Sequence, residues 1–313
     1  MSSSSAMMKT RILILSDTHA MPYTPPSQYA DVALHCGDLT ERSTLEEYRS
    51  AAQLLKQVNA PLKLAIAGNH DFTLDIPFYK AKLEQIHVER HARLMKECGD
   101  FGEARQLLED AGIILLDEGI HHFNLANGAC LSIYASPYTP VYGHWGFQYY
   151  RQQGHHFEME GVDIAMTHGS PKGLLDTAFS GHQAGCTSLL GAVSRARPKI
   201  HCFGHIHEAW GAKLVTWRNT NSLFSLFSNS KPVDEEKSIL INSLMGARDS
   251  KALLDKLQSH RDEGYYTLSY CSDDETPIQS GQQTLVINAS MKGLGWNTSH
   301  IPWLVDIELP KAK

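Results

Sequence analysis

The sequence has no run approaching the roughly 20 consecutive apolar residues that a membrane-spanning helix needs. Its first residues, MSSSSAMMKT, lack the apolar stretch of a secretory signal. No membrane partner is expected, and residues 1–9 read as a flexible tail. Nor is there a basic excess: 28 Lys and Arg stand against 34 Asp and Glu, a formal charge of −6, where nucleic-acid domains show a basic face. Small substrates are therefore expected rather than nucleic-acid polymers. Cysteine is sparse, with Cys36, Cys98, Cys130, Cys186, Cys202 and Cys271 far apart and no C-x-x-C pair. That spacing fits reduced thiols in a large cytosolic protein better than a disulfide framework or a thiolate zinc site. An internal repeat and a Pro-rich linker are both missing, and nothing in the chain fixes its oligomeric state.

What is present is an ordinary globular composition, 42% hydrophobic and 20% charged over 313 residues, enough to bury a large core. Histidine is the exception, with 17 copies. Aliphatic and β-branched runs at Arg11–Leu15, Val32–His35, Leu62–Ile66, Ile113–Leu116, Ala129–Tyr134, Val162–Met166 and Lys199–Phe203 have strand length. Their near-continuous apolarity predicts sheets covered on both faces. Ser43 and Glu46 have capping-box spacing ahead of Leu45, Tyr48, Ala52 and Leu55, which follow helical periodicity. Two helical stretches are expected over 80–110, the second with Phe101, Ala104, Leu107 and Leu108 on one side. The α/β character returns after them.

The stretch from about 218 to 283 reads differently. It is rich in serine and charge, with few strand signals, LFSLF at 223–227, and one amphipathic helix through Leu253, Leu254 and Leu257. Two strand-like runs follow, Thr284–Asn288 and Trp303–Leu309. One domain over 10–313, interrupted by an insertion at about 218–283, accounts for this order; the insertion is expected either to fold over or beside the site or to be a surface decoration or dimer contact away from it.

Candidate ligands recur just after the strands, where an α/β scaffold displays binding groups. Asp17 and His19 follow the first run, Asp38 the second, and Asn69, His70 and Asp71 the third. His168 follows Val162–Met166, and His205 and His207 follow Lys199–Phe203. An aspartate after one strand is as readily a turn former or a helix cap. Five strand ends presenting carboxylate, amide oxygen and imidazole together point to a metal, and the mixture suits manganese, iron or zinc better than calcium.

The blocks SDTH (16–19), GDLTER (37–42), GNHD (68–71), HGSP (168–171) and GHIH (204–207) resemble, in order, the signature blocks of the calcineurin-like metallophosphoesterases. The stretches SPYTPVYGHWGFQY from Ser136, THGSPKGLLD from Thr167, TLVINAS and PWLVDIEL are similar to one branch, the small metallophosphoesterase-domain proteins. The resemblance implies a four-layer α-β-β-α sandwich of two mixed sheets flanked by helices, with a dimetal site at the strand carboxyl ends. Asp17, His19 and His207 would hold one divalent metal, Asn69, His168 and His205 a second, and Asp38 would bridge them; manganese is the expected ion in vitro. His70 would serve as general acid to the leaving oxygen, or else as a hydrogen-bonding histidine behind the ligands. Glu41 falls where the family carries the carboxylate that orients this histidine, although glutamate replaces the usual aspartate. Arg42 falls where a phosphate-binding arginine occurs, or is a solvated residue near a helix start. Asp71 could cap the next segment or support His70. His144 and Trp145 lie in a segment near the family's active-site mouth and are expected to touch substrate.

The function so implied is hydrolysis of a small phosphodiester or phosphomonoester by metal-activated hydroxide attack. Alternatives are a phosphoserine or phosphothreonine protein phosphatase, or a weakly active metal-binding scaffold.

Overall fold

The computed structural model describes residues 6–218, 231–244, 260, 262–293 and 300–312. In chain order it contains β1 (Met7–Leu15), β2 (Val32–His35), α1 (Leu45–Gln57), β3 (Leu62–Ala65), α2 (Ile76–Glu84), α3 (Val88–Cys98), α4 (Glu103–Asp110), β4 (Ile114–Leu115), β5 (Gly119–Asn124) and β6 (Cys130–Ser136). Then come the short β7 (Thr139–Pro140) and β8 (Gln148–Tyr149), β9 (Ile164–Thr167), α5 (Thr187–Ala196), β10 (Ile200–Phe203), β11 (Gly211–Thr216), β12 (Ile239–Ser243), β13 (Tyr266–Ser269), β14 (Gln283–Asn288) and β15 (Trp303–Pro310).

Two mixed sheets form, six strands in the order β13-β15-β1-β2-β3-β4 and seven in the order β12-β11-β14-β10-β9-β6-β5. The period-2 geometry of a strand divides each run of apolar residues between two cores. In β1, Ile12 and Ile14 face the second sheet and pack with Ile133, Met166, Cys202 and Ile287. Leu13 and Leu15 face the other way, onto Tyr48 and Leu55 of α1 and Leu108 of α4. On the far side, Ala165, Phe203 and Val286 turn outward to Leu189 and Val193 of α5. Helix, sheet, sheet, helix is thus the layer order, and it explains why these strands alternate so little in polarity.

Parallel pairing aligns the carboxyl ends that carry the candidate ligands. β1, β2 and β3 run parallel in one sheet, and β6, β9 and β10 in the other. Their ends meet at one rim of the sandwich.

Several local expectations are corrected. The cap of α1 is Thr44 with Glu47, each bonding the other's backbone, one residue later than Ser43 and Glu46. Ser43 is unavailable because it holds φ +61° and its hydroxyl pairs with Tyr48 and Thr73. Three helices, not two, occupy 76–110; Phe101 stands before α4, 45% exposed, its ring against Tyr79. β1 begins at Met7 rather than after residue 9, because β15 pairs with it from Pro310 onward. The 218–283 stretch supplies an edge strand to each sheet: β12 lies antiparallel to β11 and β13 parallel to β15. The LFSLF segment and the helix through Leu253, Leu254 and Leu257 lie outside the described residues.

Candidate metal centre

The strand ends reach the rim through tight, left-handed backbone. Asp17, His19, Asp38 and His205 all hold positive φ, between 46° and 67°, a conformation that costs a non-glycine residue about 1–3 kcal/mol and recurs where function overrides local preference. Glycines make room beside them. A Cβ on Gly68 would lie 2.2 Å from Asp38 Oδ1, and one on Gly204 would lie 1.9 Å from Asp17 Oδ2. Gly68 and Gly204 are therefore steric requirements of the carboxylates they face.

Asp17 is fully buried and accepts the His205 backbone N–H on both oxygens, at 3.0 and 3.1 Å. Its Oδ1 lies 3.3 Å from His207 Nε2, which is 3.3 Å from His19 Nε2. Asp38 Oδ1 accepts the His70 N–H at 2.8 Å, leaving Oδ2 between His19 Nε2 at 3.7 Å and His168 Nε2 at 3.4 Å. Burial alone would raise both carboxyls; the surrounding imidazoles outweigh it and hold them below the ordinary carboxylate range. His168 Nδ1 lies 2.9 Å from the Cys36 carbonyl, which can only accept, so Nδ1 carries the proton. Nε2 of the neutral ring then presents a lone pair to Asn69 Oδ1 at 3.1 Å and to Asp38.

Two acceptors face each other across that gap, a contact that a cation resolves. Without a metal, a proton takes the place: burial lowers the His168 pKa, but Asp38 overcomes it and pushes it up to about 9. Asp17, His19, Asp38 and His207 present donor atoms mutually within 4.8 Å, as do Asp38, His168 and His205. Asp38 belongs to both groups. Carboxylate, imidazole and amide oxygen suit a first-row divalent ion, so the donors fit two such ions sharing Asp38.

His70 lies on the open side. Its Nδ1 is 2.7 Å from the Glu41 carbonyl and must donate there, which leaves Nε2 as the site that gains or loses a proton. The ring stacks on Trp145 at 4.1 Å and 27°. The Glu41 carboxylate comes within 4.8 Å of a His70 ring nitrogen but is not its hydrogen-bond partner, which is the Glu41 carbonyl. The carboxylate sits 2.9 Å from His19 Nδ1 and 2.6 Å from Lys292 Nζ, and these partners, overcoming burial, lower its pKa to about 2. Asp71, fully buried, accepts from Leu39, Thr40 and Gly68, so it braces the loops behind the ligands rather than capping α2, whose N-cap is Asp75.

Asp38, Asn69, His70, His205 and His207 share a cavity of about 580 Å³ with Trp145. His144 and Arg42 do not line it. His144 is exposed and packs on Phe78, and the Arg42 side chain, 81% exposed, has Glu47 as its ion-pair partner at 4.0 Å. Sequence reasoning missed Tyr142, Arg151 and His182, which also line the cavity. Arg151 is held by the Ala184 and Gly185 carbonyls; Tyr142 lay inside a quoted segment, whereas no local signal marks Arg151 or His182.

Fold and donors together define a metal-binding α/β sandwich with its site at the strand carboxyl ends. The model of the calcineurin-like phosphoesterases matches residues 10–209, and the chain belongs to that family. It is 34% identical over 210 residues to metallophosphoesterase domain-containing protein 1 of Homo sapiens, and equally to that of Mus musculus, covering 64% of this chain and 62% of the relative. A probable rhamnogalacturonate lyase C of Emericella nidulans is 32% identical over 211 residues, covering 66% of this chain and 18% of that much longer protein. The match thus spans less than two thirds of these relatives' length.

All six cysteines are unpaired. No helix among the described residues is long and apolar enough to cross a membrane.

Proposed function

We propose that the protein is a dimetal phosphohydrolase acting on a small phosphodiester or phosphomonoester. The observation that carries this reading is the paired donor set around Asp38 at the floor of a cavity whose rim holds a histidine, His70, oriented through Nδ1 with its Nε2 unengaged. Asp17, His19 and His207 would hold one ion, Asn69, His168 and His205 the other, and Asp38 both. When bound, such ions supply Lewis acidity, making water a nucleophile near neutral pH and offsetting phosphoryl charge.

The chain's own residues do the rest. The Glu41 carboxylate fixes His19 with Nδ1–H outward and Nε2 toward the donors, and the Cys36 carbonyl does the same for His168. As the water oxygen, one proton lost to solvent, bonds to phosphorus and the bond to the leaving oxygen breaks, that oxygen takes the proton from His70 Nε2, which solvent then replaces, while Nδ1–H stays on the Glu41 carbonyl. Trp145 covers one face of His70, fixing the ring plane, and Arg151 supplies a positive charge in the same cavity for an anionic oxygen of the substrate. A cavity of about 580 Å³ suits a small molecule better than a phosphoprotein segment. Its reduced cysteines fit a cytoplasmic setting.

Manganese-reconstituted protein should turn over bis(p-nitrophenyl) phosphate, p-nitrophenyl phosphate or both, and act poorly on a phosphopeptide. Preference for the phosphopeptide would favour the protein-phosphatase alternative; no turnover of any, with metals bound, would favour a scaffold.

A further inference from the structure

Beyond Trp145 lies a second cleft, of about 870 Å³, between the first turn of α1 and the helices α2 and α3. Five cationic side chains line it: Arg42, Arg49, Lys82, Arg93 and Lys96. Two carboxylates, Glu46 and Glu97, accompany them, so the cleft keeps an excess of three positive charges in a chain whose formal charge is −6. Arg93 is partly neutralised by Glu97 at 2.8 Å and Arg42 weakly by Glu47. Arg49, Lys82 and Lys96 have no carboxylate within ion-pair distance among the described residues.

Lys82 is the most telling of these. It is half-buried, its Nζ 4.9 Å above the Phe72 ring and 5.5 Å above that of Phe78, and burial lowers its pKa. The two ring faces offset part of the cost of withdrawing this cation from water, and an incoming anion, the partner it lacks, would recover more.

We propose that this cleft is a second anion site, which takes a phosphate group of a small phosphorylated molecule. Trp145 lines both cavities, so a molecule holding one phosphate at the metal centre can pass the indole edge and place another among Arg49, Lys82 and Lys96. A free phosphate-bearing effector would meet the same cations.

Calorimetric titration of the manganese-loaded protein in a His70→Asn background, which suppresses turnover during the measurement, with glucose 1,6-bisphosphate and glucose 1-phosphate separates these sources. The comparison is with a variant carrying Arg49→Gln and Lys82→Gln, neither of which touches the metal centre; its unfolding midpoint and manganese content should match the parent's. If the second phosphate belongs to a substrate, one bisphosphate binds per chain, about tenfold or more tighter than the monophosphate, and the variant loses that advantage. If it belongs to a free effector, two monophosphates bind per chain and one is lost in the variant. A single monophosphate abolished by the variant would keep the cleft and fault the reading of the metal centre instead. Equal affinities for the two ligands, at one per chain and unchanged in the variant, would overturn the proposal.

Discussion

The carboxylate of Glu41 stands against His19 and not against His70, with Oε2 2.9 Å from His19 Nδ1. Lys292, from the segment after β14, lies 2.6 Å from the same oxygen. Two residues far apart in sequence, Glu41 and Lys292, thus fix the tautomer of one candidate ligand. Glu41→Gln should lower metal affinity by about 10–100-fold, the usual effect of losing a ligand's hydrogen-bond partner, and Lys292→Met should lower it less. Competition with a fluorescent chelator measures both, and unchanged affinity in Glu41→Gln would remove this role.

His70→Asn should depress turnover of substrates with poor leaving groups by roughly 10²–10⁴-fold while metal content stays near the parent's. Aryl esters with good leaving groups need less protonation and should lose less. Metal analysis beside the kinetics separates the roles, since a loss of metal would make His70 a ligand.

Gly204→Ala places a methyl carbon 1.9 Å from Asp17 Oδ2 and 2.2 Å from Ser16 Oγ, both in fully buried residues. Overpacking of this kind costs about 1–3 kcal/mol. Here it also displaces a candidate ligand, so urea unfolding and metal content should fall together. Gly128→Ala meets no atom within 4 Å but sits at φ +85°; it should cost about 1 kcal/mol and leave metal content intact.

His201 gives a pH dependence apart from the metals. Fully buried in β10, with Nε2 3.0 Å from Thr167 Oγ1, it has its pKa lowered by burial to about 3. The unfolded chain takes up this proton from about pH 6.5 downward while the folded chain does not until near 3, so stability falls with pH across that window, by up to about 1.4 kcal/mol per unit. In chelated protein, urea unfolding between pH 7 and 4.5 should be less steeply pH-dependent for His201→Gln than for the parent. Parallel profiles would assign the acid sensitivity elsewhere.

The parts of this architecture legible in the sequence are those written locally. Val32–His35 is apolar because both its faces are covered, and Asp38 follows it because the parallel strand ends at the rim. The cap of α1 slipped by one residue because Ser43 and Thr44 are both good caps, and only the contacts of Ser43 to Tyr48 and Thr73, the latter 30 residues away, decide between them. The sequence does not announce β12 and β13 because each is a short run of four or five residues set among serines and charges, and its pairing is fixed by a distant strand, β11 for β12 and β15 for β13. The partner of Glu41 was misassigned for a similar reason, as nothing in residues 37–42 says which histidine of another loop stands within reach. Arg151 and His182 meet the metal-centre cavity only through loop closures such as the Thr177–Gln183 bridge.

The last described strand, β15, lies inside the first sheet, hydrogen-bonded to β1 along eight register positions from Met7–Pro310 to Ile14–Trp303. Arg11 and Asp306 close the same pair with a two-pronged ion pair at 2.7 and 2.8 Å. During synthesis on the ribosome, β1 emerges well ahead of its antiparallel neighbour, Asp306 lying 295 residues after Arg11, so the strand that leads to Asp17 waits for residues 303–310. Contacts this distant in sequence slow folding. The donors at the rim therefore converge late in biogenesis, and until then a nascent chain carries its Asp, Asn and His donors without the geometry to retain an ion.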